Sequence, residues 1–469
     1  MSTSIPTVSV DGKALKLSTG DRFMANGVCL QPGKDITFYD YPLSDSNYDY
    51  TSTVILPYLK ALNINMIRVY QIDLTASHDK TMKLLEENGI YVMLEVENKE
   101  ICVKTLTPEY TYELFMRGVQ VVDMFQQYPN TLAFSVGNET EDPGLIYSRN
   151  GNSVSGTVAT QLKIASSIKS FIRDLKAHIA TKGYRSIPVG VAIRDVFQKS
   201  VSPSGAIGTD ICAEYYASGT PQERADFIGL NTYRYVSAKD SSKDPLTCYN
   251  DIAKDWSGMP VPIIFSEIGA ISAVQTWPRD WACIEYMYKT KLLYDQFSGQ
   301  IAFSFFNEKN NLGLYIQNED QRGDFDTMPL GGVDALKSQF SAGKSKTVPM
   351  PASNNPKPTA APTTCDPDLQ NPFFAPDTTI TVMNYATVEL KATQGEYVLG
   401  SLAPAESNSS PSTNSITIST TSDLGLFILE PQEKGAWPMS CQLSANSVAS
   451  LTDASVINNQ NWGSSCNIG

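Results

Sequence analysis

Glu139 closes the segment FSVGNE, directly behind Asn138, and Glu267 closes the apolar run VPIIFSE much further along the chain. An acid at the end of a short apolar run is what remains at the surface when a buried strand reaches its tip. A single such acid is usually a solvated loop residue. Two of them, facing one another, can do chemistry. If one is protonated it can give its proton to a leaving oxygen, and if the other is ionised it can attack the adjoining carbon, which is what cleavage of a glycosidic bond requires.

The rest of the composition leaves few competitors. The 469 residues include 2 histidines, His78 and His178, so His-rich metal sites and Ser-His or Cys-His nucleophile systems have little material. No metal and no organic cofactor is implied. A formal charge of -13 with no cluster of Lys and Arg argues against a nucleic-acid partner. No apolar stretch reaches the roughly 20 residues of a membrane-spanning helix. The start MSTSIPTVSVDGK lacks the basic and apolar regions of a secretory signal, and the end lacks the hydrophobic tail of a lipid anchor. The 8 cysteines include no CxxC pair; an even count suits disulfides and an oxidising compartment.

The elements that would carry the two glutamates can be read from apolar runs separated by amphipathic stretches, the alternation of an α/β protein. The runs are Phe23 to Leu30, Met66 to Tyr70, Tyr91 to Val96, Leu132 to Val136, Ile187 to Ala192, Phe227 to Leu230, Val261 to Phe265 and Ile301 to Phe305. Helices are expected over Tyr50 to Leu62, Asp79 to Asn88, Pro108 to Tyr128, Gly156 to Lys182, Asp280 to Phe297 and Ala335 to Phe340. This is the pattern of a (β/α)8 TIM barrel, with an open doubly wound sheet as the competitor. In a barrel, Glu139 and Glu267 end strands four and seven, on nearly opposite walls of the catalytic face.

The barrel is expected over residues 1–340. The Ser, Lys, Pro, Ala and Thr of residues 341–364 then read as a semi-extended linker. Residues 365–469, with alternating runs at Thr379 to Met383, Ala386 to Leu390, Ser415 to Thr420 and Leu424 to Leu429, read as a small β-rich domain whose role the sequence does not assign.

Seven motifs, in order, carry a resemblance: LPYLKALNINMIRVYQID, GIYVMLEV, LAFSVGNE, YRSIPVGVA, RADFIGLNTY, VPIIFSEIGA and IAFSFFNEKNNLGL. The chain resembles the fungal glycolipid-anchored β-1,3-glucanosyltransferases of glycoside hydrolase family 72. The resemblance implies a retaining enzyme that cleaves β-1,3-glucan and transfers the new end to another chain. It implies Glu139 as acid/base, Glu267 as nucleophile, Asn138 on the sugar 2-hydroxyl and Tyr233 holding Glu267. Arg68 would add positive potential, with Tyr70 and Asp73 lining the donor side. If Arg68 lies inside the barrel it should face a carboxylate, because an unpaired buried charge is costly.

Aromatic faces suit pyranose rings, which makes Phe305, Phe306, Tyr235 and Tyr315 candidates, with core packing as the alternative for the phenylalanines. Glu308, Asn310 and Asp195 are further candidates for hydroxyl contacts. The family's barrel cysteines would fall near Ser218, Val236 and Ala270, none of which is Cys here. The pairs expected instead are Cys29 with Cys102, Cys212 with Cys365, Cys248 with Cys283, and Cys441 with Cys466. The expected partner is β-1,3-glucan, the location extracellular or at the cell wall or surface, and the state monomeric. A hydrolytic endo-β-glucanase or mannanase of the same barrel clan is the alternative enzyme, and a non-catalytic wall-binding or structural protein the alternative of another class.

Overall fold

The structure, a computed structural model, describes residues 4–31, 39–140, 157–196, 207–239, 245–272, 275–308, 310–318, 321–351 and 360–373, followed by separate strands between 378 and 451. It divides into two compact units, residues 1–372 and 373–469.

In the first unit eight parallel strands close into a barrel. They are β1 (Ala25–Cys29), β2 (Met66–Val69), β3 (Tyr91–Glu95), β4 (Thr131–Asn138), β5 (Val189–Arg194), β6 (Ile228–Asn231), β7 (Ile263–Ile268) and β8 (Phe297–Ala302). Each pairs with its neighbour in chain order, and β8 pairs with β1, so the open-sheet alternative falls away. Residues such as Met66, Ile67, Val92, Met93, Ile263 and Ile264 are fully buried whichever way they point, because one face of each strand fills the barrel and the other meets the helices. Helices Asp79–Glu87, Tyr112–Phe125 and Val158–Thr181 follow β2, β3 and β4. Thr111 and Thr157 cap the last two by accepting from Leu114 N and Thr160 N, a contribution of about 1 kcal/mol each.

An antiparallel sheet of Val8–Asp11, Ala14–Leu17 and Arg22–Phe23 precedes the barrel. Its Val8, Leu15 and Phe23 pack on Tyr91, Leu132, Phe227 and Ile264, near the starts of their strands, and so close the end of the barrel opposite the glutamates. The expected helix at Tyr50 to Leu62 is present and continuous from Tyr48 to Ala61, with a π-helical segment at Thr51–Ile55 between the α-helical Tyr48–Tyr50 and Leu56–Ala61.

The eighth strand begins four residues before its expected start, at Phe297, and ends at Ala302. Its polar residues hide it in the sequence. Gln300 is fully buried, donating to Ile284 O and accepting from Tyr249 OH, and Ser298 is fully buried as well. The domain boundary also moves. The last barrel helix runs Val333–Lys344, past residue 340. Residues 365–372, expected in the second domain, belong to the first unit: Ser166 Oγ donates to Asp368 O, Tyr215 OH to Pro367 O, and Arg173 Nη1 to Gln370 O. Among the described residues the second unit has seven strands in two sheets, one of three strands and one of four, in keeping with the β-rich expectation.

The cysteine pairing is corrected. Cys29, Cys102, Cys283 and Cys365 are free thiols, so the pairs 29 with 102, 212 with 365 and 248 with 283 are not formed. Cys29 is buried in the barrel wall beneath Tyr70, whereas Cys102 sits on the loop after β3 with its Sγ directed at Lys99 O. The pair Cys441 with Cys466 lies outside the described side chains.

Candidate active site

Both glutamates follow a break in strand register. The pairing of β4 with β5 shifts between Ser135 and Asn138, and that of β7 with β6 shifts between Ile264 and Glu267. A bulge re-aims the side chains beyond it. Glu139 adds a backbone turn of its own, with φ at 56° and its N–H held by Ala192 O. The left-handed region costs a non-glycine residue about 1 to 2 kcal/mol, so the surrounding structure holds this turn against a local preference. Just after β7, Gly269 has φ at 124°, and a Cβ there would meet the Trp281 ring at 2.6 Å. Glycine is required at that bend.

Glu267 is 5% exposed and is reached by three donors. Arg68 Nη1 lies 3.2 Å and Tyr70 OH 2.7 Å from its Oε1, and Tyr233 OH lies 2.6 Å from its Oε2. Arg68, fully buried on β2, does face a carboxylate, and in fact faces two. Its Nη2 lies 3.0 Å from Glu95 Oε2 and 2.9 Å from Asn138 Oδ1. Burial alone would lower the guanidinium pKa; Tyr70, Glu95 and Glu267 outweigh it and raise it. Burial pushes the Glu95 carboxyl up, and Arg68 opposes that shift. It also drives Tyr70 and Tyr233 well above the ordinary phenol range, so both remain proton donors at neutral pH.

Asn231, at the tip of β6, joins the two glutamates. Its Nδ2 donates to Glu139 Oε1 at 2.8 Å and to Asn138 Oδ1 at 3.0 Å, while its Oδ1 accepts from Ser266 Oγ at 2.7 Å and Arg68 Nη1 at 3.4 Å. Glu139, Asn231, Arg68 and Glu267 thus form one connected chain. Asn231 and Glu95 are absent from the sequence-based set. A signal for both existed: each is a polar residue in or just past an apolar run, and the demand of Arg68 for a counterion pointed to Glu95 in GIYVMLEV.

Other expected residues go elsewhere. Asp73 accepts from Thr75 N and Oγ1 within its own turn. Asp195 is committed to Arg234 Nη2 at 2.6 Å and Thr232 Oγ1 at 2.7 Å. Phe305 and Phe306 are fully buried and pack edge-on against each other, with Phe305 also against Tyr58 and Tyr315; they are core and offer no face to a sugar. Tyr315 is 2% exposed and borders a separate cavity of about 530 Å³ beside Tyr58, Phe325 and Val333. Tyr235 donates to Asp280. Asn310 accepts from Leu312 N on an exposed turn. Glu308 stays close: it accepts from Gln31 Nε2 at 2.6 Å, and burial together with the charge of Glu267 raises its pKa, against Lys99.

A family model described as glucanosyltransferase, glycoside hydrolase family 72, matches residues 1–340. The chain belongs to this family. Among curated relatives, 1,3-beta-glucanosyltransferase gas1 of Schizosaccharomyces pombe is 30% identical over 322 residues, covering 68% of this chain and 53% of the relative. Protein EPD1 of Candida maltosa is 32% identical over 314 residues, 66% of this chain and 51% of that protein. The chain spans about half the length of these relatives. A solved structure of Saccharomyces cerevisiae Gas2p in complex with laminaritriose and laminaritetraose matches with a TM-score of 0.63 at 25% identity, over 78% of this chain and 77% of that one. The connected glutamates therefore lie in a barrel of this family.

Proposed function

We propose that this protein is a retaining β-1,3-glucanosyltransferase in which Glu267 is the nucleophile and Glu139 the acid/base. The observation that carries the assignment is the asymmetry of their surroundings. Glu267 is reached by a guanidinium and two phenols, with Arg68 placing a positive charge against the carboxylate oxygen that would attack. Glu139 meets the neutral amide of Asn231 and lies half-buried at the mouth. Two carboxyl groups in one site take different roles when their environments differ.

In the first step the Glu267 carboxylate attacks the anomeric carbon while Glu139 gives its proton to the departing glucan oxygen. Glu139, now a carboxylate, then takes the proton of an acceptor hydroxyl as that oxygen displaces Glu267. Asn138, held by Arg68 and Asn231, would meet the 2-hydroxyl of the sugar. A second glucan as acceptor gives transfer, and water gives hydrolysis. The reading brings with it β-1,3-glucan as partner, a monomer, and a place of action outside the cell at the wall or surface; family membership supports that location, and the free thiols Cys29, Cys102, Cys283 and Cys365 lend it none.

The test is the product profile of a reduced β-1,3-gluco-oligosaccharide with wild type and Glu267→Gln. Products longer than the starting chain, lost on substitution, are expected. Shorter products alone would make the protein a hydrolase, and no product from any β-glucan would favour the binding-protein alternative.

A further inference from the structure

We infer that Glu95 keeps Arg68 paired while Glu267 is covalently occupied, and thereby sets the lifetime of the glucosyl-enzyme. The inference rests on the reading of Glu267 as nucleophile. Arg68 is fully buried, with Glu95 3.0 Å from Nη2 and Glu267 3.2 Å from Nη1. Its other hydrogen-bond partners, Asn138, Asn231 and the carbonyl of Ser266, are neutral.

When the ester forms, a Glu267 oxygen bonds to the anomeric carbon, the bond to the leaving oxygen breaks, and the proton of Glu139 passes to that oxygen. The negative charge of Glu267 is gone from the site, yet Arg68 remains charged. Glu139 becomes a carboxylate at the same moment, but it meets the guanidinium through Asn138 and Asn231 rather than directly. Glu95 is then the carboxylate in contact with Arg68. A buried cation that loses its last direct counterion is strongly disfavoured.

Glu95 is therefore a positioning residue with a signed effect on two steps. Without its charge, Arg68 relies on Glu267 alone and favours the ionised form over the ester. The nucleophile becomes weaker and, once bonded, leaves more readily. Ester formation slows while ester breakdown quickens. Damage to the fold or to substrate binding slows both, so the opposed signs separate this role from a structural one.

The experiment uses the full chain and a 2-deoxy-2-fluoro-β-laminaribiosyl fluoride, which donates its sugar to the nucleophile as the C–F bond breaks and fluoride departs with the bonding electrons. Adduct formation on the Glu267 peptide is followed by mass, and its loss is followed after addition of laminaribiose. Relative to wild type, Glu95→Gln is expected to form the adduct about 10-fold more slowly and to lose it about 3-fold faster. Glu95→Asp, which keeps the charge but withdraws it, should fall between the two for both rates, and it carries the test if the Gln variant does not fold. Rates that are unchanged, or both slowed, would overturn the inference. A wild-type enzyme that forms no adduct on Glu267 would instead overturn the nucleophile assignment, and this inference with it.

Discussion

The phenolic oxygen of Tyr233 lies 2.6 Å from Oε2 of Glu267, on the opposite side of the carboxylate from Tyr70 and Arg68. The carboxylate is thus gripped at both oxygens and cannot turn about its last bond. Tyr233→Phe releases one side while leaving the ring in place. The turnover number should fall by about 10- to 100-fold, with little change in KM, as expected when a contact that orients the reacting group is lost. Initial rates across a range of oligosaccharide concentrations check this; a rise in KM alone would show that Tyr233 serves binding.

The acid role of Glu139 predicts a dependence on the leaving group. Glu139→Ala should lose about 100- to 10,000-fold on β-1,3-glucan, whose alkoxide departs poorly without a proton. The same variant should still release fluoride from an activated β-laminaribiosyl fluoride at close to the wild-type rate, because fluoride needs no proton. Equal losses on the two donors would contradict the assignment.

Arg279 is 2% exposed and donates to five carbonyls, those of Gly269, Phe303, Leu312, Gly313 and Leu330, with its Cζ 4.3 Å from the centre of the Trp281 ring. It ties together the segments that leave β7 and β8 at the catalytic mouth. Lysine offers three donors and no fork. Arg279→Lys should therefore cost about 3 kcal/mol or more of stability, since buried carbonyls are left unmet. Denaturant unfolding measures this directly.

Asp280 predicts a pH effect. Tyr235 OH, Ser237 Oγ and the backbone N–H groups of Ala238 and Ala282 all donate to its carboxylate. Burial alone would raise its pKa; the four donors outweigh it and hold the group below the usual carboxylate range. A depressed native pKa stabilises the fold above the unfolded value of about 3.9, and that contribution fades as pH falls through the native value. Asp280→Asn should destabilise the protein at pH 7 by about 1 to 2 kcal/mol, allowing for screening at a half-exposed site. The difference from wild type should shrink below about pH 4. A difference independent of pH would remove the carboxylate from the explanation.

The barrel was legible because fully buried strands leave unbroken apolar runs, and the glutamates were legible because each interrupts such a run at its tip. β8 was not, because Ser298 and Gln300 satisfy their polar groups inside the wall, against neighbours that local sequence does not reveal. The aromatic candidates failed for a related reason. Phe305 and Tyr315 look the same whether a ring meets sugar or another ring, and here Tyr58 and Phe325 fill the space. The three cysteine pairs among the described residues failed because the count of thiols says nothing of the directions in which they point. Glu95 and Asn231 were within reach, but Glu95 falls inside the expected strand Tyr91 to Val96 and Asn231 just past the expected strand Phe227 to Leu230, so neither stands out as a strand tip.

The segment 365–372 belongs to the same unit as the barrel, with Ser170 Oγ accepting from Gln370 N and Tyr215 OH donating to Pro367 O. For anyone shortening this protein, the seam suggested by composition is in the wrong place. A fragment ending near residue 340 would truncate its final helix and strip eight residues of seated chain from two others, leaving the hydroxyls of Ser166, Ser170 and Tyr215 without those partners. One ending at Pro372 would leave every one of those contacts intact, and it is the smaller piece on which the chemistry of the two glutamates should be studied.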